Sequence, residues 1–257
     1  MRIATLVAGM IASLVSVPFA AAQDSPTMTS AEIAAACAPP AGQSHAAHAL
    51  RVVGSQDTVP RTVFGRADLL VISGGTGEGV QLSSKFFLRR ASATNQLYGM
   101  PAASDLVTDG WVEIVAVNDS TSIARVTGLC GAIYTSDYLE PFVPPTVPTP
   151  ADEPLTPNFD ALGRVLGGSD GRTLTAINQV AIIDQGSEQG LQPGSRFAIY
   201  RDLTAGVDPL LAAPEGTPLT SIGEGVVLSA TGNRAVVRIV RARDAVRTGD
   251  YVAPPKQ

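Results

Sequence analysis

Apolar residues in this chain gather in short runs divided by glycine-, proline- and asparagine-rich breaks. That is the pattern of strands joined by tight turns, not of long helices. Trp111–Asn118 and Thr121–Thr127 flank Asn118-Asp119-Ser120, which predicts a hairpin. Gly225–Ala230 and Ala235–Val240 flank Thr231-Gly232-Asn233 in the same way. Gly74–Gly79 and Gln185–Gly190 read as turns that lead into strands over Lys85–Arg90 and Arg196–Arg201. Asp137-Tyr138 and Asp250-Tyr251 open short closing strands that end at Pro141 and Pro254. The predicted class is all-β, built as small barrels or sandwiches. Only one short helix is expected, over Ala31–Cys37, capped by Thr29 or Ser30 with Glu32 in its first turn.

The pattern occurs twice. At an offset of 111 residues, Ile72–Arg90 falls on Ile183–Arg201 without a gap. Gly75, Gly79, Gln81, Ser84, Phe86 and Arg90 meet Gly186, Gly190, Gln192, Ser195, Phe197 and Arg201. At an offset of 113, Gly110, Arg125, Asp137, Tyr138 and Pro141 meet Gly223, Arg238, Asp250, Tyr251 and Pro254. The repeated glycines are expected where turns need positive φ. The chain therefore divides into module 1 (51–142) and module 2 (159–254), joined by the proline-rich linker 143–158, VPPTVPTPADEPLTPN. An Ala-rich segment, 23–50, precedes them. Residues 1–22 carry Arg2, a short apolar run and Ala20-Ala21-Ala22, the layout of a cleaved signal peptide. The expected location is the periplasm or another exported compartment, with no integral membrane segment in the mature chain.

Composition narrows the function classes. The formal net charge is −5, one unit more negative once Arg2 is removed, which argues against nucleic-acid binding. Cys37 and Cys130 are the only cysteines. In an oxidising compartment they are expected to pair and tie the N-terminal segment to module 1, a closure worth ~4 kcal/mol.

Catalytic and metal chemistry find little support. His45 and His48 are the only histidines, and they lack the further ligands a metal site or a catalytic triad needs. Gly75-x-Gly77-x-Gly79 precedes a strand rather than a helix, so it reads as a turn and not a phosphate loop. Asp184/Glu188 and Asp202/Asp208 read as solvated turn residues. No catalytic residue, cofactor or metal is assigned. The candidate binding surface comprises the recurring polar positions Gln81/Gln192, Arg90/Arg201 and Arg125/Arg238. To these is added a C-terminal arginine stripe, Arg234, Arg238, Arg241, Arg243 and Arg247. Arg90/Arg201 with Asp137/Asp250 could equally form a salt bridge inside each module.

Module 2 strings together Gly163-Arg164, Gln179–Ile183, Gly186–Leu191, Gly194–Arg201 and Val246–Val252. In this it resembles the β-rich module that follows LysM domains in bacterial envelope proteins, and it is similar to the C-terminal module of the flagellar assembly protein T family. Module 1, through Gly110–Asn118 and Cys130–Phe142, resembles tandem versions of that module. The resemblance implies an envelope protein that binds peptidoglycan or an envelope protein complex. The repeated residues, mostly those of turns and cores, favour a non-enzymatic role, and the tandem layout suggests bivalent display across a semi-rigid linker. A flagellar basal-body accessory role and a cell-wall-acting enzyme are the alternatives. No LysM repeat and no flagellar N-terminal domain accompany the modules.

Overall fold

A computed structural model describes residues 28–39, 50–91, 106–202 and 219–256. The expected signal peptide, His45, His48 and Asp208 lie outside the described residues. The helix α1 spans Ser30–Cys37. Thr29 caps it: the Glu32 N–H donates to Thr29 Oγ1 at 3.2 Å, and Thr29 N–H donates to Glu32 Oε2 at 2.7 Å. This reciprocal pair satisfies two donors at the helix start.

Module 1 contains β1 (Val52–Ser55), β2 (Val63–Phe64), β3 (Leu69–Ile72), β4 (Lys85–Ala91), β5 (Leu106–Val117), β6 (Ser122–Leu129), β7 (Ile133–Tyr134) and β8 (Tyr138–Pro141). Module 2 contains β9 (Gly163–Gly168), β10 (Leu174–Thr175), β11 (Val180–Ile183), β12 (Arg196–Asp202), β13 (Leu219–Thr231), β14 (Arg234–Ala242), β15 (Val246–Arg247) and β16 (Tyr251–Ala253). The fold is all-β, and the two hairpins fall where the turn signals place them.

Both modules share one strand order. In module 2 it runs β9-β11-β14-β13-β12-β16 and closes into a six-stranded barrel through the β16–β9 pairing, Tyr251 opposite Arg164. In module 1 it runs β1-β3-β6-β5-β4-β8 as a curled sheet. Its edges meet at an isolated bridge, Arg51 opposite Tyr138, helped by the Leu139 N–H donating to Leu50 O at 2.7 Å. A two-stranded ribbon, β2–β7 or β10–β15, completes each module.

The closed barrel of module 2 and the curled half-barrel of module 1, both called barrels below, enclose matched cores. Ile72, Val80, Leu88, Ile114, Val126, Ile133 and Leu139 are buried in module 1, as are their counterparts Ile183, Leu191, Ile199, Val227, Ile239, Val246 and Val252 in module 2. Along β6 buried and more open positions alternate, as a strand with one face inward requires.

The outer walls differ. Phe87 and Trp111 of module 1 form an external platform with Phe142, ring centroids 4.6 and 6.1 Å from it, and Ala36 of α1 is buried against them. The repeat-related positions in module 2 are Ala198 and Glu224, so only module 1 offers this aromatic seat. Cys37 and Cys130 form the expected disulfide beside it, Cα atoms 5.4 Å apart. Thr108 Oγ1 donates to Ala38 O at 3.1 Å. The other side of α1 meets β11 and β14, across a hollow of about 190 Å³ lined by Ile33, Ala34, Asn178 and Gln179.

The linker lies against module 2. Ala151 N–H donates to Gly194 O at 3.0 Å, Arg196 Nη1 to Glu153 O at 3.3 Å, and Asn158 N–H to Pro254 O at 2.8 Å.

The repeated glycines serve two purposes. Gly79 and Gly190 adopt φ +79, as expected of turn glycines. Gly75 and Gly186 do not: their φ values are −137 and −144. A Cβ at Gly75 would lie 2.1 Å from Asn118 O, and one at Gly186 2.5 Å from Gly232 O. These two are required by close backbone approach to the hairpin tip, which corrects the expectation of positive φ. Module 1 places Ala67, Ser83 and Ser136 in the left-handed region, where module 2 has Asn178, Gly194 and Gly249, also at positive φ.

Candidate functional site

One end of each barrel gathers repeated polar side chains. The first strand opens with an arginine, Arg51 or Arg164. In module 1, Arg51 N–H donates to Ser73 Oγ at 2.8 Å, and its Nη1 donates to Ser136 O at 3.0 Å. In module 2, Arg164 N–H donates to Asp184 Oδ1 at 2.5 Å, and its Nη1 donates to Gly249 O at 2.8 Å. Asp184 thus does the work of Ser73 as a backbone acceptor, and Glu188 lies apart on an exposed turn. The Arg164 guanidinium covers the Tyr251 ring at 3.5 Å. The pair Arg51/Arg164 was legible in the motif Arg-Val-x-Gly, at 51–54 and 164–167. It goes unnoticed if the offset of 111 is carried back past β2, because module 1 has two more residues between β1 and β2.

The last turns of β4 and β12 bring Arg90 and Arg201 to the same end. Arg201 is saturated. Its Nε and Nη2 each donate to the Asp250 carboxylate at 2.8 Å, Nη1 donates to Asp244 Oδ2 at 2.6 Å, and Nη2 also donates to Ala245 O at 2.7 Å. These bonds, Asp250 foremost, raise the Arg201 pKa further above its ordinary value, against the effect of burial. The expected intramodule salt bridge therefore exists in module 2.

Module 1 departs from it. Arg90 turns to Asp109, with Nε 2.7 Å from Oδ2 and Nη2 donating to Oδ1 at 3.2 Å. Asp109 occupies the position of Ile222 and is 0% exposed. Asp137 keeps the local duty of Asp250: it accepts the Tyr134 N–H at 2.7 Å, as Asp250 accepts the Arg247 N–H at 2.8 Å. It also contacts Asp109. Burial pushes Asp109 up to about 6, against the pull of Arg90. Burial pushes Asp137 up to about 7, opposed by the Tyr134 N–H and reinforced by the Asp109 charge. Two carboxyls this close share a proton near neutral pH. Sequence reasoning missed this acid pair; the only clue was an aspartate aligned with a core isoleucine.

The remaining candidates do not converge. Gln81 and Gln192 sit in exposed turns before β4 and β12, where their carbonyls accept from the Ser84 and Ser195 N–H groups at 3.2 and 2.9 Å. Arg90 lies near the far end of the same strand, ~17 Å away at 3.4 Å per residue. Arg125 stands exposed on β6 opposite Glu113. In the stripe, Arg238 Nη1 donates to Asn178 Oδ1 at 3.2 Å, Arg241 pairs with Glu224 at 3.1 Å, and Arg247 lies 3.6 Å from Asp244. Arg234 is half-buried and Arg243 exposed. Paired carboxylates and amides thus offset part of the stripe's charge.

No group of three or more His, Cys, Asp or Glu suited to a metal ion occurs among the described residues. No helix among them is long and apolar enough to cross a membrane. The chain matches no protein-family model and no curated protein.

Proposed function

We propose that this is a non-enzymatic, exported envelope protein whose tandem barrels bind peptidoglycan or an envelope protein complex. The observation that carries this reading is the repeated barrel end, Arg51-Arg90-Asp137-Tyr138 and Arg164-Arg201-Asp250-Tyr251. The same residue types gather in both modules, and in module 1, where Arg90 keeps a nitrogen open, they are charged and aromatic groups suited to recognising a polar ligand. The Cys37–Cys130 disulfide supports an oxidising compartment. Asp109, buried in the wall of module 1 with no exposed surface, is out of reach of a substrate, so the Asp109/Asp137 pair lacks the second accessible carboxyl that hydrolysis needs.

The test is co-sedimentation of the purified chain with insoluble peptidoglycan sacculi over a range of salt concentrations. Saturable pelleting that survives moderate salt is the expected result. No pelleting at any salt would remove the wall as partner and direct cross-linking in envelope extracts toward a protein complex.

A further inference from the structure

The two arginine ends differ in one respect that identifies a ligand class. In both modules the inward edge of the arginine is held by a buried carboxylate, Asp109 for Arg90 and Asp250 for Arg201. In module 2 the remaining nitrogen, Nη1, receives a second carboxylate from Asp244 at 2.6 Å. The repeat-related position in module 1 is Gly131, which has no side chain to offer. Arg90 Nη1 has no partner among the described residues, and the Arg90 side chain is 31% exposed against 11% for Arg201.

Arg90 also borders a usable space. A hollow of about 300 Å³ is lined by Arg90, Arg51, Tyr134, Thr135, Ser136 and one acid, Asp137. Arg51 spends only Nη1, on Ser136 O, and so brings a second cation. Tyr134, 40% exposed, stands beside Arg90 with its ring centroid 5.3 Å from the guanidinium carbon. Val63 lies across the strand pair from Tyr134 and is also exposed. An arginine pair beside an exposed ring suits a carboxylate attached to a compact body that can lie on the ring.

We propose that the hollow at the Arg90 end of module 1 binds the carboxylate of an external ligand through Arg90 and Arg51. Module 2 has no equal site: Asp244 takes Arg201 Nη1, and Arg247 stands where module 1 has Tyr134. The site rests on the binding role proposed above and sharpens it: the ligand presents a carboxylate, from either a sugar acid or a peptide terminus.

The test follows side-chain Nε–H resonances of the arginines in the 15N-labelled full chain. It titrates N-acetylmuramic acid, N-acetyl-D-alanyl-D-alanine and, as a neutral control, N-acetylglucosamine. At least one acid should shift Arg90 saturably and the neutral sugar should not; which acid does so separates the two sources. Arg51→Gln should weaken that binding about tenfold or more, the loss of one charge-assisted contact, whereas Arg51→Lys keeps the charge and should retain most of it. Absence of any Arg90 shift with either acid, or equal binding by wild type and Arg51→Gln, would overturn the proposal. Sacculi pelleting is read separately. Pelleting without an Arg90 response leaves the wall reading and removes this site; an Arg90 response without pelleting does the reverse.

Discussion

Asp109 stands in the first barrel where Ile222 stands in the second, so one barrel wall carries a buried acid and its twin carries a hydrocarbon. Both Asp109 and its neighbour Asp137 have pKa values raised on folding. A raised carboxyl favours the folded state when protonated. Its contribution is complete below the unfolded value near 4 and is lost as pH rises through about 6 to 7. Module 1 should therefore be more stable at about pH 5 than at about pH 8, by roughly 2 kcal/mol. Trp111, the only tryptophan, packs in module 1 and reports its unfolding by fluorescence. Asp109→Ile should flatten the pH dependence and leave Arg90 to take Asp137, as Arg201 takes Asp250. A wild-type unfolding midpoint that does not move between those pH values would count against a buried shared proton.

Arg201→Ala should destabilise module 2 by ~3 kcal/mol, because it leaves the buried Asp250 carboxylate without its partner. Sacculi pelleting should persist, since Arg201 is already saturated internally. Urea unfolding and pelleting of the same preparation measure both. Lost pelleting from a folded variant would place Arg201 in the binding surface instead.

Gly75→Ala and Gly79→Ala separate the two uses of glycine. A Cβ at Gly75 meets hairpin backbone at 2.1 Å, whereas one at Gly79 meets nothing within 4 Å and only strains a left-handed φ. The expected losses are about 3 kcal/mol for Gly75 and about 1 kcal/mol for Gly79. The reverse order in denaturant titrations would contradict the assignment.

Ser83→Gly should stabilise module 1 by about 0.5–1 kcal/mol. It relieves the φ of +64 at Ser83 and copies Gly194, although glycine gives some of the gain back through the unfolded chain. A fall in the Trp111 unfolding midpoint would show that the Ser83 side chain makes a contribution larger than its strain.

Replacing Cys37 and Cys130 together by serine should lower the stability of module 1 by ~4 kcal/mol and loosen α1 from the Phe87–Trp111 platform. A red-shifted Trp111 emission in the native variant would report the second effect. An unchanged midpoint would mean that helix packing alone holds the segment.

Strand positions, both hairpins, the Thr29 cap and the cysteine pair were legible because each is encoded within a few residues or by simple scarcity. The partners of Arg90 were not. Whether an arginine on β4 meets Asp109 or Asp137 depends on strand register and on which face of β5 turns inward, and bulges on β4–β5 and β5–β6 shift that register. The role of Gly75 was hidden for a similar reason: its neighbour, Asn118, lies far along the chain. The aromatic seat of α1 could not be read either, since Phe87 and Trp111 look like core residues until the barrel shows that its inside is already full.

Helix α1 touches both barrels and is bolted to one of them by Cys37–Cys130, while residues 149–158 run along the other. The pair of barrels is thus less like beads on a thread than like a caliper with its jaws locked. A flexible tether rewards any two contacts that come within reach. A locked caliper has one gap, so if module 2 adds contacts of its own to a ligand held at the Arg90 end, they must fall at that single distance from it.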